Sequence, residues 1–414
     1  MRRLLLAICG LVLVAGCGKV PPGPLAAGDF TLYEAASTSG SPLVAVINSR
    51  SKTAEARLPL GALSPDGNHL YTMSSNILED IDPHTGSTVR TLRLPGSFDL
   101  PPSTLGGIPG GLSQNGQWLV LQTGGARTSS QMLLVDTSQL KMTNRIDLDG
   151  NFEFDAIDNS GTRLYVIEYT NPTQGYYRVR VYEVAAGQLG SYTVVDKGGA
   201  PEPMTGVRLS GVFSPDGNWL YSVYARKDSG AFVHALNLSQ PFAFCLDLPG
   251  SGWSTDPNAF HWSLALTADG KHLYAANGAM GSVTQIDNLD GYNPSIVRTK
   301  KMSIAGATAN ALVQSVEAKE LGAQGAVLSH DGATLVTAGS KGLIWIDTAT
   351  LQARSDQLMT WTVWSLLASP DGSRIYAVSD AGAIAELSMA DGRTAATFDP
   401  AVGSPMGFLR VEAA

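Results

Sequence analysis

The stretch Leu63-Ser64-Pro65-Asp66-Gly67-Asn68-His69-Leu70-Tyr71 decides the fold, because the chain keeps repeating it. Close copies are Phe213-Ser214-Pro215-Asp216-Gly217-Asn218-Trp219-Leu220-Tyr221 and Ala368-Ser369-Pro370-Asp371-Gly372-Ser373-Arg374-Ile375-Tyr376. Looser copies run through Leu112–Val120, Ile157–Tyr165, Leu266–Tyr274 and Leu328–Val336. Each reads as a tight turn between two strands. Asp-Gly or Asn-Gly tolerates the positive φ of such a turn, Pro presets φ ahead of it, and strand formers follow. The seven turn glycines, at 67, 116, 161, 217, 270, 332 and 372, are 49, 45, 56, 53, 62 and 40 residues apart. A hairpin repeated at that period signals a β-propeller or a related array.

Outward from each turn the pattern is four short strands, with the signature turn joining the first to the second. The second and third strands are apolar on both faces, as stacked sheets require. The third often ends in an acid before a polar turn: Asp82, Asp136, Asp287 and Asp347. There the carboxylate is expected to accept backbone N–H groups, a structural role and not a metal site. Seven signature turns give seven blades. At the N-terminus, 30–36, 43–48 and 54–60 read as three strands that lack a first partner. At the C-terminus, Gly407-Phe408-Leu409-Arg410-Val411 reads as a first strand with no turn after it. Pairing the two ends completes an eighth blade and closes the ring, leaving only short edges. A seven-bladed ring with 30–36 outside it is the alternative.

The unit "strand, Ser-Pro-Asp-Gly, Leu-Tyr, then Ile-Asp-x-x-Thr" resembles the YVTN/lactonase-type propeller repeat, a relative of WD-repeat propellers. The resemblance covers roughly residues 29–411 and speaks to fold more than to function. Gln114-Asn115, Asn159-Ser160, Ala268-Asp269 and His330-Asp331 depart from its turn. It implies that the links between blades share one face with the second-to-third strand loops, while the signature turns occupy the other. It also implies a possible activity, hydrolysis of sugar lactones by acids with His or Arg at the channel. By position the candidates are Asp99, Asp155, Glu202, Arg208 and His261.

Met1-Arg2-Arg3 and the apolar run Leu4–Val14 have the anatomy of a secretory signal. Val14-Ala15-Gly16-Cys17 resembles the bacterial lipobox, whose cysteine is lipidated and becomes the new N-terminus. Residues 1–16 are therefore expected to be removed, with Cys17 carrying lipid. Residues 17–28, rich in Pro and Gly, would tether the domain at 29–414. By resemblance to enterobacterial lipoproteins, Gly18 after the cysteine points to the outer membrane. The formal charge of −8 becomes −10 without Arg2 and Arg3, 26 basic against 36 acidic residues. No basic stripe recommends nucleic acid as a partner. The remaining thiol, Cys245, has no base beside it in sequence and reads as a small apolar side chain.

Function in propellers concentrates in loops that break the repeat. The long links are Pro95–Pro109, Gly198–Gly206, Pro249–His261 and Met302–Gly322. Phe98, Phe154, Trp253, Trp262, Trp361 and Trp364 fall in or beside such links and are candidate binding residues at one mouth of the channel. Capping of the core is the competing role for each. Thr308–Leu321 has near-helical apolar spacing and reads as a short amphipathic helix. There is no Cys-x-x-Cys-His, Walker loop, dinucleotide fingerprint or Gly-x-Ser-x-Gly elbow. The six histidines are scattered, with His69, His272 and His330 read as solvated turn residues. The quinoprotein docking motif is only faintly resembled, once, by Asp82-Pro83-His84-Thr85-Gly86, an Asp-x-x-Thr-Gly stretch with no Trp after it. No cofactor or metal is expected. The sequence thus suggests a monomeric envelope lipoprotein that binds or scaffolds a protein, peptide or glycan, with a lactonase-like hydrolase as the alternative.

Overall fold

The computed structural model describes residues 28–103, 107–125, 128–171, 175–194, 203–290, 293–302 and 325–414. The signal and lipidation segment, Glu202 and the 308–321 helix lie outside them.

Eight antiparallel sheets follow one another along the chain. Blade 1 comprises Gly61–Leu63, Leu70–Ser74, Ile77–Ile81 and Thr88–Arg93. Blades 2 to 7 follow to Thr394–Phe398. Blade 8 joins the chain ends: Ser404–Ala413 is its inner strand, and Phe30–Thr38, Ser41–Asn48 and Thr53–Pro59 are the rest. The closing register runs from Phe30 opposite Ala413 to Ser37 opposite Ser404, with irregularities that skip Leu409 and Met406. The eight-bladed closure expected from the unpaired ends is thus the observed one. From blade 4 round to blade 8, the inner strands of neighbouring blades touch around a central channel.

Two blades depart from four strands. In blade 2 the inner position is held by isolated pairings to the strand Trp118–Gln122, Leu112 with Leu119 and Asp99 with Gln122, while Pro102 bridges Pro109 within the link. Pro101, Pro102 and Pro109 have no N–H to give a ladder, so a regular strand is precluded there. Blade 3 gains a fifth strand, Met204–Thr205, on its third.

All seven signature turns share one mechanism. In six, the Ser or Thr hydroxyl donates to the Asp or Asn two residues on, at 2.5–2.7 Å. The same oxygen accepts the N–H five residues on, at 2.9–3.0 Å. In the seventh, Asp158 takes the Ser position and accepts the N–H groups of Thr162 and Arg163. The seven turn glycines have φ of 68–79°. Burial opposes it, but hydrogen bonds from Ser64 and Asn68 hold the Asp66 carboxyl down to about 2. The third-strand acids Asp82, Asp136 and Asp347 accept backbone N–H groups in the following turn, as expected. Asp287 differs: His272 and the Gln285 amide bond it. His69 likewise bonds Asp80 at 2.8 Å, so neither histidine is simply solvated.

The apolar cores lie between blades: each of the eight interfaces has one, and that between blades 3 and 4 has a second, of Ile167, Tyr177, Tyr224 and Phe232. Tyr71, Tyr165, Tyr221, Tyr274 and Tyr376 of the repeat are all buried in them. Tyr165 reaches the next blade, its hydroxyl donating to Leu238 O at 3.0 Å. At this position of the repeat the ring fills an interface, and at Tyr165 the phenol also finds a backbone acceptor beyond it.

Candidate functional site

The inner strand of blade 3, Phe152–Ile157, is irregular at one point. Phe154 pairs with Val166 and Ala156 with Tyr165, so Asp155 is left over as a β-bulge. A bulge re-aims a side chain. Asp155 turns to the inner strand of blade 4, Val207–Phe213, where Arg208 Nη1 lies 3.0 Å from Oδ1. That strand carries its own bulge, at Leu209. Arg208 Nη2 also donates to Ser103 O at 3.3 Å, in the link that serves blade 2. Blades 2 and 4 are not neighbours, so the side chain bridges them across the channel end, away from the signature turns.

Two aspects of this pair bear on chemistry. Asp155 is buried, and its second oxygen has no hydrogen-bond partner. Burial pushes its carboxyl up against the pull of Arg208. Around the pair stand Tyr169, whose hydroxyl donates to Glu153 at 2.8 Å, and the stacked rings of Tyr177 and Tyr224. Burial first, and the neighbouring anionic groups second, keep all three phenols protonated. Tyr177 Oη, Ser210 Oγ and Ser222 Oγ are also buried without partners. Buried polar atoms are normally satisfied. Their concentration where blades 3 and 4 meet marks a place that water or a polar ligand completes.

Asp99 is exposed and bridges by its backbone to Gln122. The Gln122 side chain accepts the N–H of Phe154, next to Asp155. His261 ends a one-turn 3-10 helix, Pro257–His261, capped by Asp256, and burial lowers its pKa against the pull of that acid. No contact joins it to Asp155. Phe98 and Trp262 are 2% exposed and belong to interblade cores. Phe154, Trp361 and Trp364 are half-buried against the same kind of core. Trp253 stacks on Phe260, and Lys227 Nζ lies over the Trp253 ring, 5.9 Å from its centroid. The six aromatics are therefore dispersed over several interfaces. Tyr169, Tyr177, Tyr224 and Ser210 carried no motif, and only the bulge joins them to Asp155.

Cys245 does have a base beside it, across the sheet and not along the chain. His234 is its strand partner, and Nδ1 lies 3.6 Å from Sγ. Burial lowers His234 to about 4, so the imidazole is neutral and does not activate the thiol.

Two other spaces are built differently. A cleft of about 620 Å³ on the signature-turn face, between blades 5 and 6, is lined by His272, Arg298 and His330 among others. There His272 already holds Asp287, and Arg298 holds Gln285 and the carbonyls of Thr348 and Ala349. The turn end of the channel is a cavity of about 340 Å³ with an apolar wall from Val212, Leu266, Leu328 and Leu367. Neither contains a comparable set of unsatisfied groups. Among the described residues no three His, Cys, Asp or Glu side chains gather as a metal site would need.

The chain is an eight-bladed β-propeller with a buried acid–base pair at one end of its channel. No family model and no curated sequence matches it. Among solved structures its fold is similar to that of apo AztD from Citrobacter koseri, with TM-score 0.55 and 10% identity over 93% of this chain and 98% of that one. It is similar too to dihydro-heme d1 dehydrogenase NirN in complex with DHE, with TM-score 0.51 and 15% identity over 94% and 77%. The Pseudomonas aeruginosa periplasmic gluconolactonase PpgL aligns at TM-score 0.47 and 18% identity, over 92% and 98%. At such identities the likeness is one of fold.

Proposed function

We propose that this protein is an exported, lipid-anchored propeller that binds an envelope partner at the channel mouth opposite the signature turns. The observation that supports this reading is Asp155: a buried carboxylate on a bulge, tied to Arg208 and left with one unsatisfied oxygen. A partner whose polar group, or a water it holds, donates to that oxygen satisfies it. The repeat scaffold holds the pair rigidly, as a recognition site requires. The leader, with Cys17 in its lipobox-like ending, supports export and anchoring.

In the test, a photo-crosslinking residue replaces Ser229, on the mouth side, or Gln139, on the turn side, in cells carrying the full chain. Adducts from position 229 that disappear with Asp155→Asn are expected. Adducts from position 139 alone overturn the reading. The raised Asp155 carboxyl also suits a general acid or base. Lactone turnover by the purified protein, abolished by Asp155→Asn, would replace binding by hydrolysis.

A further inference from the structure

We propose that the signature-turn face is held toward the membrane, so that the mouth bearing Asp155 and Arg208 points away from it. This orientation rests on lipidation of Cys17, as part of the reading above. Its structural basis is where the described chain begins. The Gly28 N–H donates to Glu386 at 2.7 Å, and the Gly28 carbonyl accepts from Ser49 Oγ at 3.2 Å. Ser49 lies just after Ser41–Asn48, in a turn on the signature-turn side, and its oxygen also accepts the N–H of Phe30 at 2.9 Å. Glu386 is itself fixed by Arg374 Nε at 3.0 Å. The other chain end arrives at the same place, with Ala414 N donating to Asp29 O at 3.3 Å. The exit point is thus pinned to the turn side of blade 8.

Chain length then limits the geometry. Eleven steps separate Cys17 from Gly28. At 3.3–3.6 Å per residue they span at most about 40 Å. A blade strand of seven to nine residues, such as Thr53–Pro59 or Phe30–Thr38, is roughly 23–31 Å long at 3.3–3.4 Å per residue. Presenting the mouth to the bilayer would require the tether to climb that height along the outside of the ring, using most of its reach. With the turn face inward it needs none of it. The turns on the inward face are also tied to one another across blades. Arg410 donates to Pro65 O and Asp66 O, Asn115 N donates to Asn159, and Gln114 reaches Pro215 O in blade 4. A lipid surface is therefore the neighbour of the turns, and the soluble partner meets the mouth.

The test uses the full-length lipidated protein in vesicles of phosphatidylethanolamine and phosphatidylglycerol that contain an acceptor-labelled lipid. A donor dye is placed at Gln139→Cys on the turn side or Ser229→Cys on the mouth side, each with Cys245→Ala. Energy transfer at least twofold stronger from position 139 is expected. Equal transfer, or stronger transfer from position 229, overturns the orientation. No transfer from either, together with a mass that lacks lipid on Cys17, overturns the anchor reading itself and the orientation with it.

Discussion

Glu34 lies in the second strand of blade 8 with both carboxylate oxygens buried and unpartnered. Glu386, equally buried in blade 7, has Arg374 and the N–H of Gly28. Lacking such donors, Glu34 is pushed up to about 8, chiefly by burial and secondarily by Asp399, the charged group that acts on it. Its folded pKa lies above its unfolded value of 4.5, so the folded state keeps the proton longer. Stability from this residue is complete below about 4.5 and is lost as pH rises through about 8. His234 acts oppositely: depressed to about 4 from 6.5, it costs stability as pH falls between those values. The two offset each other below 6.5, and the Glu34 effect stands out above it. Melting experiments between pH 6.5 and 8.5 should show a loss of up to about 1.4 kcal/mol per pH unit, and Glu34→Gln should remove most of it. A wild-type profile that is flat over that interval would contradict the burial of Glu34.

Between elements, the blades are joined by cations that reach to the next blade. Arg90 of blade 1 bonds Asp80 in its own blade, then Thr137 O and Ser138 O in blade 2. Arg298 of blade 5 does the same toward Thr348 O and Ala349 O in blade 6, but its own-blade partner is the neutral Gln285. The same joint is therefore charged in one place and neutral in the other. Arg90→Ala leaves the fully buried Asp80 with His69 as its remaining side-chain partner and should cost about 3–5 kcal/mol. Arg298→Ala strands no charge and should cost about 1–2 kcal/mol. Urea denaturation of the two variants measures the difference, and equal losses would refute the buried-charge account. These joints also show what was legible from residues alone. The signature turns were, because each network closes within six residues. The joints were not: Arg90 and Thr137 are brought together by stacking, which leaves no local pattern. Asp155 and Arg208 were nameable as residue types near a mouth, but their pairing depends on a bulge that shifts register by one. Phe98 and Trp262 looked like mouth aromatics because links between blades were read as surface, whereas those links fold back into interblade cores.

At the scale of the whole ring, the decisive joint is the one the chain makes with itself. Counting unmatched strands at the two ends was enough to anticipate eight blades, since a ring with an unpaired inner position exposes an edge. The inner strand Ser404–Ala413 supplies Phe408 and Val411 to the core between blades 7 and 8, beside Leu32, Tyr376 and Val378. It also supplies Glu412, which accepts from the buried Tyr33 hydroxyl at 2.7 Å. Removing Phe408–Ala414 strips two buried apolar side chains, at roughly 1.5–3 kcal/mol each, and leaves the edge of Phe30–Thr38 open. Melting should fall by roughly 10 °C or more, and the truncated chain should be wider in solution scattering. A synthetic peptide of residues 404–414 should restore much of the loss by adding back the missing strand. If the truncated protein melts with the full-length one, and the peptide changes nothing, the ring is not held shut by its tail.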